Sequence, residues 1–176
     1  MGDYRKILEY LKKEDVKSIE LRTVRAHHNP DDVLCVSNML WAYGFDITVH
    51  SSVTSVDAAI SDVFGPLKKL LSNLKQPKLN ITIHPIVGDN VAMLTKLSDH
   101  CIKNNYPGVI ALENNRKLPD KTEGNSAALV LDIVKKVARE NVGICFDFGH
   151  YMYYLKKNEP DRENIVPDTE FLLNTG

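Results

Sequence analysis

Five apolar segments of the sequence each end at or near a residue that can bind a metal ion or transfer a proton. These residues are Glu20, His50, His84, Glu113 and Asp147. A sixth, His150, follows about one helical turn after Asp147. Imidazole and carboxylate groups act as general acids and bases, and together they suit zinc, manganese or magnesium. A carboxylate buried at the end of an apolar run needs a partner or a metal ion, because an unpaired buried charge is costly.

The elements that position these residues repeat along the chain. The apolar segments are 16–22, 45–50, 79–84, 108–113 and 142–147, and their ends lie 28 to 34 residues apart. Amphipathic stretches precede the first segment and fill each interval. Asn29 and Pro30 are typical of a helix start, and Pro66 is expected to break or kink the third helix. A strand–helix unit at this interval predicts a parallel sheet, whose strands end at one common edge.

Two parallel architectures fit this repeat, a five-stranded doubly wound sheet and an incomplete (β/α)8 barrel. The sequence opens on a helical pattern, and the interval would place a further strand near residue 175. We therefore expect an α/β fold, a single partial TIM-barrel domain over 1–176, with about five parallel βα units that correspond to strands two to six. The polar stretch 114–124 follows the fourth strand, where α/β proteins build active sites.

Composition limits the classes of function. The formal net charge is −1, which gives no global basic footprint for a nucleic acid. The sequence shows no signal-peptide core and no apolar run of the roughly 20 residues that a membrane span needs. Cys35, Cys101 and Cys145 are far apart, which fits a reducing compartment better than a disulfide framework. We expect a cytoplasmic protein without a membrane or nucleic-acid partner.

Each residue of the cluster also has a purely structural explanation. Glu20 and Glu113 can pair with nearby arginines, and His50 and Asp147 can cap the helices that follow them. The rings of His84 and His150 can be packed, hydrogen-bonded groups. Residues that are more simply explained as loop, helix or core positions are His27, His28, Met39, Leu40, Trp41, His100 and Cys145.

The chain resembles the xylose isomerase-like TIM-barrel superfamily, which includes sugar and sugar-phosphate isomerases and epimerases and the endonuclease IV branch. The resemblance covers essentially the whole chain and rests on five motifs in order: SIELR, TVHSS, TIHP, ALENN and ICFDFGH. It implies that Glu113 and Asp147 are metal ligands and that His150 contacts substrate or metal. In the endonuclease IV branch, His50 and His84 would also bind zinc. The family's further ligands, from strands seven and eight, are expected beyond Gly176.

The resemblance implies a metal-dependent isomerase or epimerase that acts on a sugar or sugar phosphate through an enediolate, which the ion would stabilise. Glu113 and His150 are the expected catalytic residues. The expected metal ligands are His84, Glu113, Asp147 and His150. The expected substrate contacts are Glu20, His50, His84 and His150, with His50 at the rim of the site and Glu20 nearby.

Two other functions remain open from the sequence. One is an endonuclease IV-like zinc phosphodiesterase that acts on abasic DNA, against which the net charge weighs. The other is a barrel fragment that binds a ligand without catalysis. The second carboxylate base of an isomerase would come from strand eight, so the chain alone is expected to be inactive. Open strand edges lead us to expect a homo-oligomer.

Overall fold

The structure, a computed structural model, describes residues 4–24, 27–115 and 127–151. Helices and strands alternate along these ranges. The helices are α1 (Tyr4–Lys13), α2 (Pro30–Ala42), α3 (Ala59–Ser72), α4 (Asn90–Lys103) and α5 (Ala127–Val137). The strands are β1 (Ser18–Val24), β2 (Asp46–Ser51), β3 (Ile81–Ile83), β4 (Ile110–Glu113) and β5 (Val142–Cys145). None of the helices in these ranges is long and apolar enough to cross a membrane.

The five strands form one parallel sheet in the order β1-β2-β3-β4-β5. Each strand therefore pairs with the next one along the chain. Right-handed crossovers in one direction place all connecting helices on the same face of the sheet. Consecutive helices pack against each other, α2 on α3, α3 on α4 and α4 on α5. The strand order never reverses in the described residues, whereas a doubly wound sheet reverses at its switch point.

The register gives the sheet two chemically different faces. The face under the helices is aliphatic, with Ile47, Val49, Ile81, Ile83, Ile110 and Leu112 buried against helix side chains. The opposite face, which we call the helix-free face because no helix of the described ranges covers it, carries Thr48, His50, Thr82, Ala111, Glu113, Gly143 and Cys145 in matching register. Because side chains alternate between faces along a strand, every second residue near a strand end points to the polar side.

The predicted third helix differs from the structure in two respects. It continues through Pro66 without a break, and it begins at Ala59, after the start of the amphipathic pattern. The buried Asp62 explains the late start, because its Oδ2 accepts hydrogen bonds from Thr54 N (2.8 Å) and Thr54 Oγ1 (2.6 Å). These bonds fold the preceding loop back onto the first turn. The predicted cap of the second helix is confirmed, since Asn29 Oδ1 accepts from Asp31 N at 3.0 Å and Pro30 opens the helix.

The amino-terminal edge of the sheet is held by neutral amide groups. Buried Gln76 makes a two-bond clamp on one backbone residue: Oε1 accepts from Ile47 N (2.8 Å) and Nε2 donates to Ile47 O (2.7 Å). Ser98 Oγ donates to Asn141 Oδ1 at 2.6 Å and ties α4 to the start of β5. Gly108 has φ +120°, and a Cβ there would lie 2.0 Å from the oxygen of Leu79. Only glycine therefore fits at Gly108.

Candidate metal centre

Three ionisable side chains meet at the carboxyl edge of the helix-free face. His50 lies near the end of β2, Glu113 ends β4, and His84 directly follows β3. His50 pairs in register with Thr82, two residues before His84, so the two rings emerge from neighbouring strands on the same face. The ring centroids lie 4.6 Å apart in an edge-to-face arrangement. The alternation of apolar and polar residues in each strand thus brings the three groups together.

One carboxylate oxygen serves both rings. Glu113 Oε2 lies 2.7 Å from His50 Nε2 and 2.8 Å from His84 Nε2. The first contact is a hydrogen bond, in which the ring donates to the carboxylate. The second is short, but the ring is out of line for hydrogen bonding. His84 Nε2 is the only buried side-chain nitrogen or oxygen without a hydrogen-bond partner in residues 4–24, 27–115 and 127–151.

An unpaired buried nitrogen beside a carboxylate oxygen has a simple chemical explanation. Such an atom costs about 1–3 kcal/mol unless something binds it. His84 Nε2 and Glu113 Oε2 lie close together without a hydrogen bond between them, an arrangement that a shared cation would explain. One ligand atom from each of His50, His84 and Glu113 lies within 4.8 Å of the others. Two imidazole nitrogens and one carboxylate oxygen fit a divalent ion such as zinc or manganese.

The electrostatics of the cluster keep Glu113 ionised. Burial alone would raise the pKa of this carboxyl group. The hydrogen bond from His50, the close approach of His84 and the charges of both rings oppose burial and lower the pKa well below its usual range. Hydrogen bonds and positive charge favour the anionic form of a carboxyl group. Glu113 is therefore a carboxylate at neutral pH, the form that binds metal ions.

Glu113 also belongs to a second group, with Asp147 and His150. His150 Nδ1 lies 3.7 Å from Glu113 Oε1 and 3.7 Å from Asp147 Oδ2. One ligand atom from each of the three residues again lies within 4.8 Å of the others. Glu113 thus turns Oε2 towards the two histidines and Oε1 towards the second group. A single carboxylate lies between two sets of potential ligands.

Cys145 lies on the helix-free face, opposite Glu113 in the strand register. Burial raises the pKa of its thiol to about 11, and the negative charge of Glu113 adds to that shift. The group is therefore a neutral thiol at physiological pH and lacks the thiolate form that metals bind. The sequence predicts Cys145 as a core residue, and in the structure its side chain is half-buried on the helix-free face.

The structure brings four predicted residues together and changes the place of one other, His50. His84, Glu113, Asp147 and His150 converge at the carboxyl edge. His50 lies inside the cluster and not at its rim, because the register directs its ring against Glu113, where it is 7% exposed. Glu20 belongs to neither ligand group in the described residues. It is exposed and lines a neighbouring cavity of about 300 Å³ with Arg22, His28, Asp32, Val33 and Val36.

Some predicted features lie outside the described residues. Most of the polar stretch 114–124 is among them, as is Arg116, the alternative partner of Glu113. So is the segment after Tyr151. The structure also reveals Asn114, which sequence reasoning did not select. It is fully buried and bonds to Asp147. A buried amide directly after a strand-end carboxylate is the signal that could have identified it.

Comparison with known proteins adds no family assignment. No protein-family description, curated protein or solved structure matches this chain. The candidate site therefore depends on the geometry of the chain's own residues.

Proposed function

We propose that this chain carries the metal centre of a sugar or sugar-phosphate isomerase or epimerase of the xylose isomerase-like TIM-barrel superfamily. The observation that carries the proposal is the meeting of His50, His84 and Glu113 at the carboxyl edge of the sheet, where one ligand atom from each lies within 4.8 Å of the others. Parallel strands in sequential order, with one face free of helices, suit an arc of a (β/α)8 barrel. In the described residues β1 and β5 each pair on one side only, as the end strands of an arc do.

The residues present fit a divalent ion. His50, His84 and Glu113 would hold it, with His84 Nε2 gaining the partner that it lacks. When bound, the ion would polarise the carbonyl and hydroxyl oxygens of a carbohydrate substrate. The chain's own contribution is a preformed, negatively charged anchor, since Glu113 is ionised before any ligand arrives. Asp147 adds a second carboxylate beside it, about one-third exposed and therefore open to a ligand.

The geometry favours different roles for the two expected catalytic residues. A carboxylate with a strongly lowered pKa is a poor proton acceptor near neutral pH. Glu113 is such a group and also holds the hydrogen bond of His50, so it suits the role of ligand better than that of base. His150 is half-buried and close to both carboxylates. We therefore assign proton transfer to His150 and metal binding to Glu113.

The proposal is tested by metal binding and proton exchange together. Purified protein should bind manganese or zinc in calorimetry. Solvent-deuterium incorporation into a panel of ketoses and ketose phosphates measures whether the residues of this chain suffice for proton transfer. His84→Asn should weaken metal binding. His100→Asn is the matched control, because His100 packs against Phe64 and Tyr106 on α4, outside the cluster. Metal binding without deuterium exchange on any sugar would indicate a protein that binds metal without catalysis. The absence of both activities would reject the proposal.

A phosphodiesterase is a second candidate that one observation favours. The two oxygens of Glu113 face two separate ligand groups, an arrangement suited to a carboxylate shared by two ions about 3.5–4 Å apart. Two-metal sites of this kind catalyse phosphoester displacement. The discriminating measurements are the zinc content per chain and the cleavage of abasic DNA. Two zinc ions per chain with strand cleavage would select the phosphodiesterase, whereas sugar-dependent deuterium exchange would select the isomerase.

The expected location and assembly also remain proposals. We infer a cytoplasmic protein that acts on a small carbohydrate, without a nucleic-acid or membrane partner under the isomerase assignment. The one-sided pairing of β1 and β5 and the exposed apolar residues Tyr4, Ile7 and Tyr10 on α1 favour association between copies. Light scattering of the purified protein measures this directly.

A further inference from the structure

Asn114 connects the two strands that carry the carboxylates. It follows Glu113 directly, and its side chain is fully buried. Its Nδ2 donates to Asp147 O at 2.8 Å, and its Oδ1 accepts from Asp147 N at 2.7 Å. The regular pairing of β4 with β5 ends at Glu113 and Cys145. The amide thus extends the ladder beyond the strand end and holds the backbone of Asp147 beside that of β4.

The clamp also determines the orientation of the Asp147 carboxylate. Asp147 Oδ1 accepts from His150 N at 2.6 Å, and Asp147 O accepts from Tyr151 N at 3.1 Å. One oxygen of this carboxylate therefore closes the turn that carries His150. Asp147 Oδ2 remains beside His150 Nδ1 and towards Glu113. Because Asn114 fixes the backbone from which this turn starts, it fixes the direction of that oxygen.

The backbone carbonyl of Asn114 determines the proton position on the neutral His150 ring. Nδ1 lies 3.0 Å from Asn114 O, 3.7 Å from Glu113 Oε1 and 3.7 Å from Asp147 Oδ2. The first is a carbonyl oxygen, which can only accept, so Nδ1 is the donor in this hydrogen bond. In a neutral imidazole the proton on one nitrogen leaves the other as an acceptor. The neutral ring of His150 therefore carries its proton on Nδ1 and its lone pair on Nε2.

We propose that Asn114 is a positioning residue: its side-chain clamp on Asp147 aligns Asp147 beside Glu113 and keeps the turn of His150 against the backbone carbonyl of Asn114. The ring then keeps the Nδ1–H tautomer, and Nε2 accepts protons or binds a ligand. The inference deepens the function proposed above and rests on it for the identity of the ligand. It also revises the expected ligand set. His150 Nδ1 donates to Asn114 O. It is therefore not a ligand of an ion that Glu113 and Asp147 hold. Outer partners of this kind typically change metal affinity by about 10- to 100-fold.

A purely structural role for Asn114 is the competing explanation, and the chain contains a matched control for it. Gln76 makes the same two-bond clamp on Ile47 at the opposite edge of the sheet. Both amides are buried, and each bonds the N–H and the carbonyl of a single residue; Gln76 Nε2 also donates to Lys78 O. Removing either clamp exposes comparable backbone groups. Only Asn114 lies beside the ligand groups. Changes in the His150 ring or in zinc affinity that appear in Asn114→Ala alone therefore indicate positioning, whereas equal changes in both variants indicate a purely structural role.

The experiment compares Asn114→Ala, Asn114→Asp and Gln76→Ala in the full chain. The first readout, taken without metal, is the ¹⁵N chemical shifts of the His150 ring, which distinguish Nδ1–H from Nε2–H. The wild type and Gln76→Ala should show Nδ1–H, and Asn114→Ala should show a mixture with Nε2–H. The second readout is zinc affinity by competition with a chelating dye. It should fall about 10- to 100-fold in Asn114→Ala and stay within about twofold in Gln76→Ala.

The outcomes separate this inference from the proposed function. An unchanged His150 tautomer in Asn114→Ala, or equal effects of both alanine variants on ring shifts and affinity, would overturn it. If Asn114→Ala does not fold, the ring shifts of Asn114→Asp give the tautomer comparison, since it keeps the acceptor for Asp147 N but loses the Nδ2 donor; its zinc affinity is not compared, because the substitution adds a negative charge. If the wild type binds no metal, the proposed function fails. The ring shifts then still decide whether Asn114 sets the tautomer.

Discussion

The two edges of the sheet contain buried polar groups of opposite character. At the amino-terminal edge, Gln76 and the Ser98–Asn141 pair are neutral and bonded to backbone or to each other. At the carboxyl edge, ionisable groups crowd together, and Glu113 Oε2 faces two imidazoles at 2.7 and 2.8 Å. The unpartnered His84 Nε2 also lies at this edge. A stable fold needs the first arrangement, whereas the second is costly unless a ligand completes it.

The comparison shows how structural and functional polar groups can be separated by geometry. Gln76 and Asn114 make the same clamp, yet only the clamp of Asn114 adjoins carboxylates and an imidazole. Buried polarity alone therefore does not identify a site. The distinguishing feature is a cluster of ionisable groups whose hydrogen bonds are incomplete.

Glu113→Gln should have the largest effect. The substitution keeps the shape of the side chain but removes the charge and one ligand oxygen shared by His50 and His84. Zinc affinity should fall by more than about 100-fold, the upper end for an outer partner, and turnover should be lost. Calorimetry with zinc and manganese measures the change. Glu140→Gln, an exposed position before β5, is the control. Unchanged zinc affinity in Glu113→Gln would show that Glu113 is not a metal ligand.

Gln76→Ala, at the amino-terminal edge, should lower the stability of the fold and leave zinc binding unchanged. It leaves the N–H and carbonyl of Ile47 without their side-chain partners. The free energy of unfolding should fall by roughly 2–6 kcal/mol, because each of the two buried unpaired groups costs about 1–3 kcal/mol. Zinc affinity per folded molecule should be unchanged. Urea unfolding and dye competition measure the two quantities, and a large loss of affinity would show that the edges are not independent.

The two histidines of the cluster should differ when each is replaced by leucine. His50→Leu removes the hydrogen bond to the buried Glu113 carboxylate and should destabilise the metal-free protein by about 1.5–3 kcal/mol. His84→Leu removes a nitrogen that has no hydrogen-bond partner and should change that stability by less than about 1 kcal/mol. Both should weaken zinc binding. Equal destabilisation by the two variants in metal-free urea unfolding would contradict the assigned geometry.

The smallest expected effect concerns thiol reactivity. Burial raises the pKa of both the Cys101 and Cys145 thiols to about 11, and only Cys145 also feels the charge of Glu113. At pH 8 both should react with iodoacetamide far more slowly than exposed Cys35, since the thiolate is the nucleophile. Glu113→Gln removes the nearby negative charge, so the pKa of Cys145 should fall and its alkylation should become roughly two- to threefold faster. Mass spectrometry should show no change at Cys101.

Much of the fold could be predicted from the sequence because the two periodicities are clear. All five apolar segments are strands, and their parallel, sequential order follows from the strand–helix interval. Boundaries were less accurate. The first strand runs to Val24, and β5 ends at Cys145, so Phe146 and Asp147 lie beyond it. The continuous helix through Pro66 shows that burial of Pro66 and its neighbours outweighs the lost backbone hydrogen bond.

The candidate site was predictable as a set but not in its internal order. Residues at the ends of parallel strands must meet at one edge, which is sufficient to group His84, Glu113 and Asp147. The central position of His50 depends on the exact register of β2 against β3, which sequence periodicity does not fix. Asn114 was missed because its one signal in the sequence, an amide directly after a strand-end carboxylate, does not show what the amide binds. Its role depends on hydrogen bonds to a residue 33 positions away.

The most direct test of a metal centre at the carboxyl edge is anomalous diffraction from crystals soaked in zinc or manganese. We expect a peak within about 2.0–2.2 Å of Glu113 Oε2 and of one ring nitrogen each of His50 and His84. A second peak beside Glu113 Oε1 and Asp147 would indicate the two-metal arrangement. Crystals soaked in the same way from Glu113→Gln should show neither peak. A fully soaked wild-type crystal without an anomalous peak at these residues, or with ions only at surface carboxylates, would contradict the account.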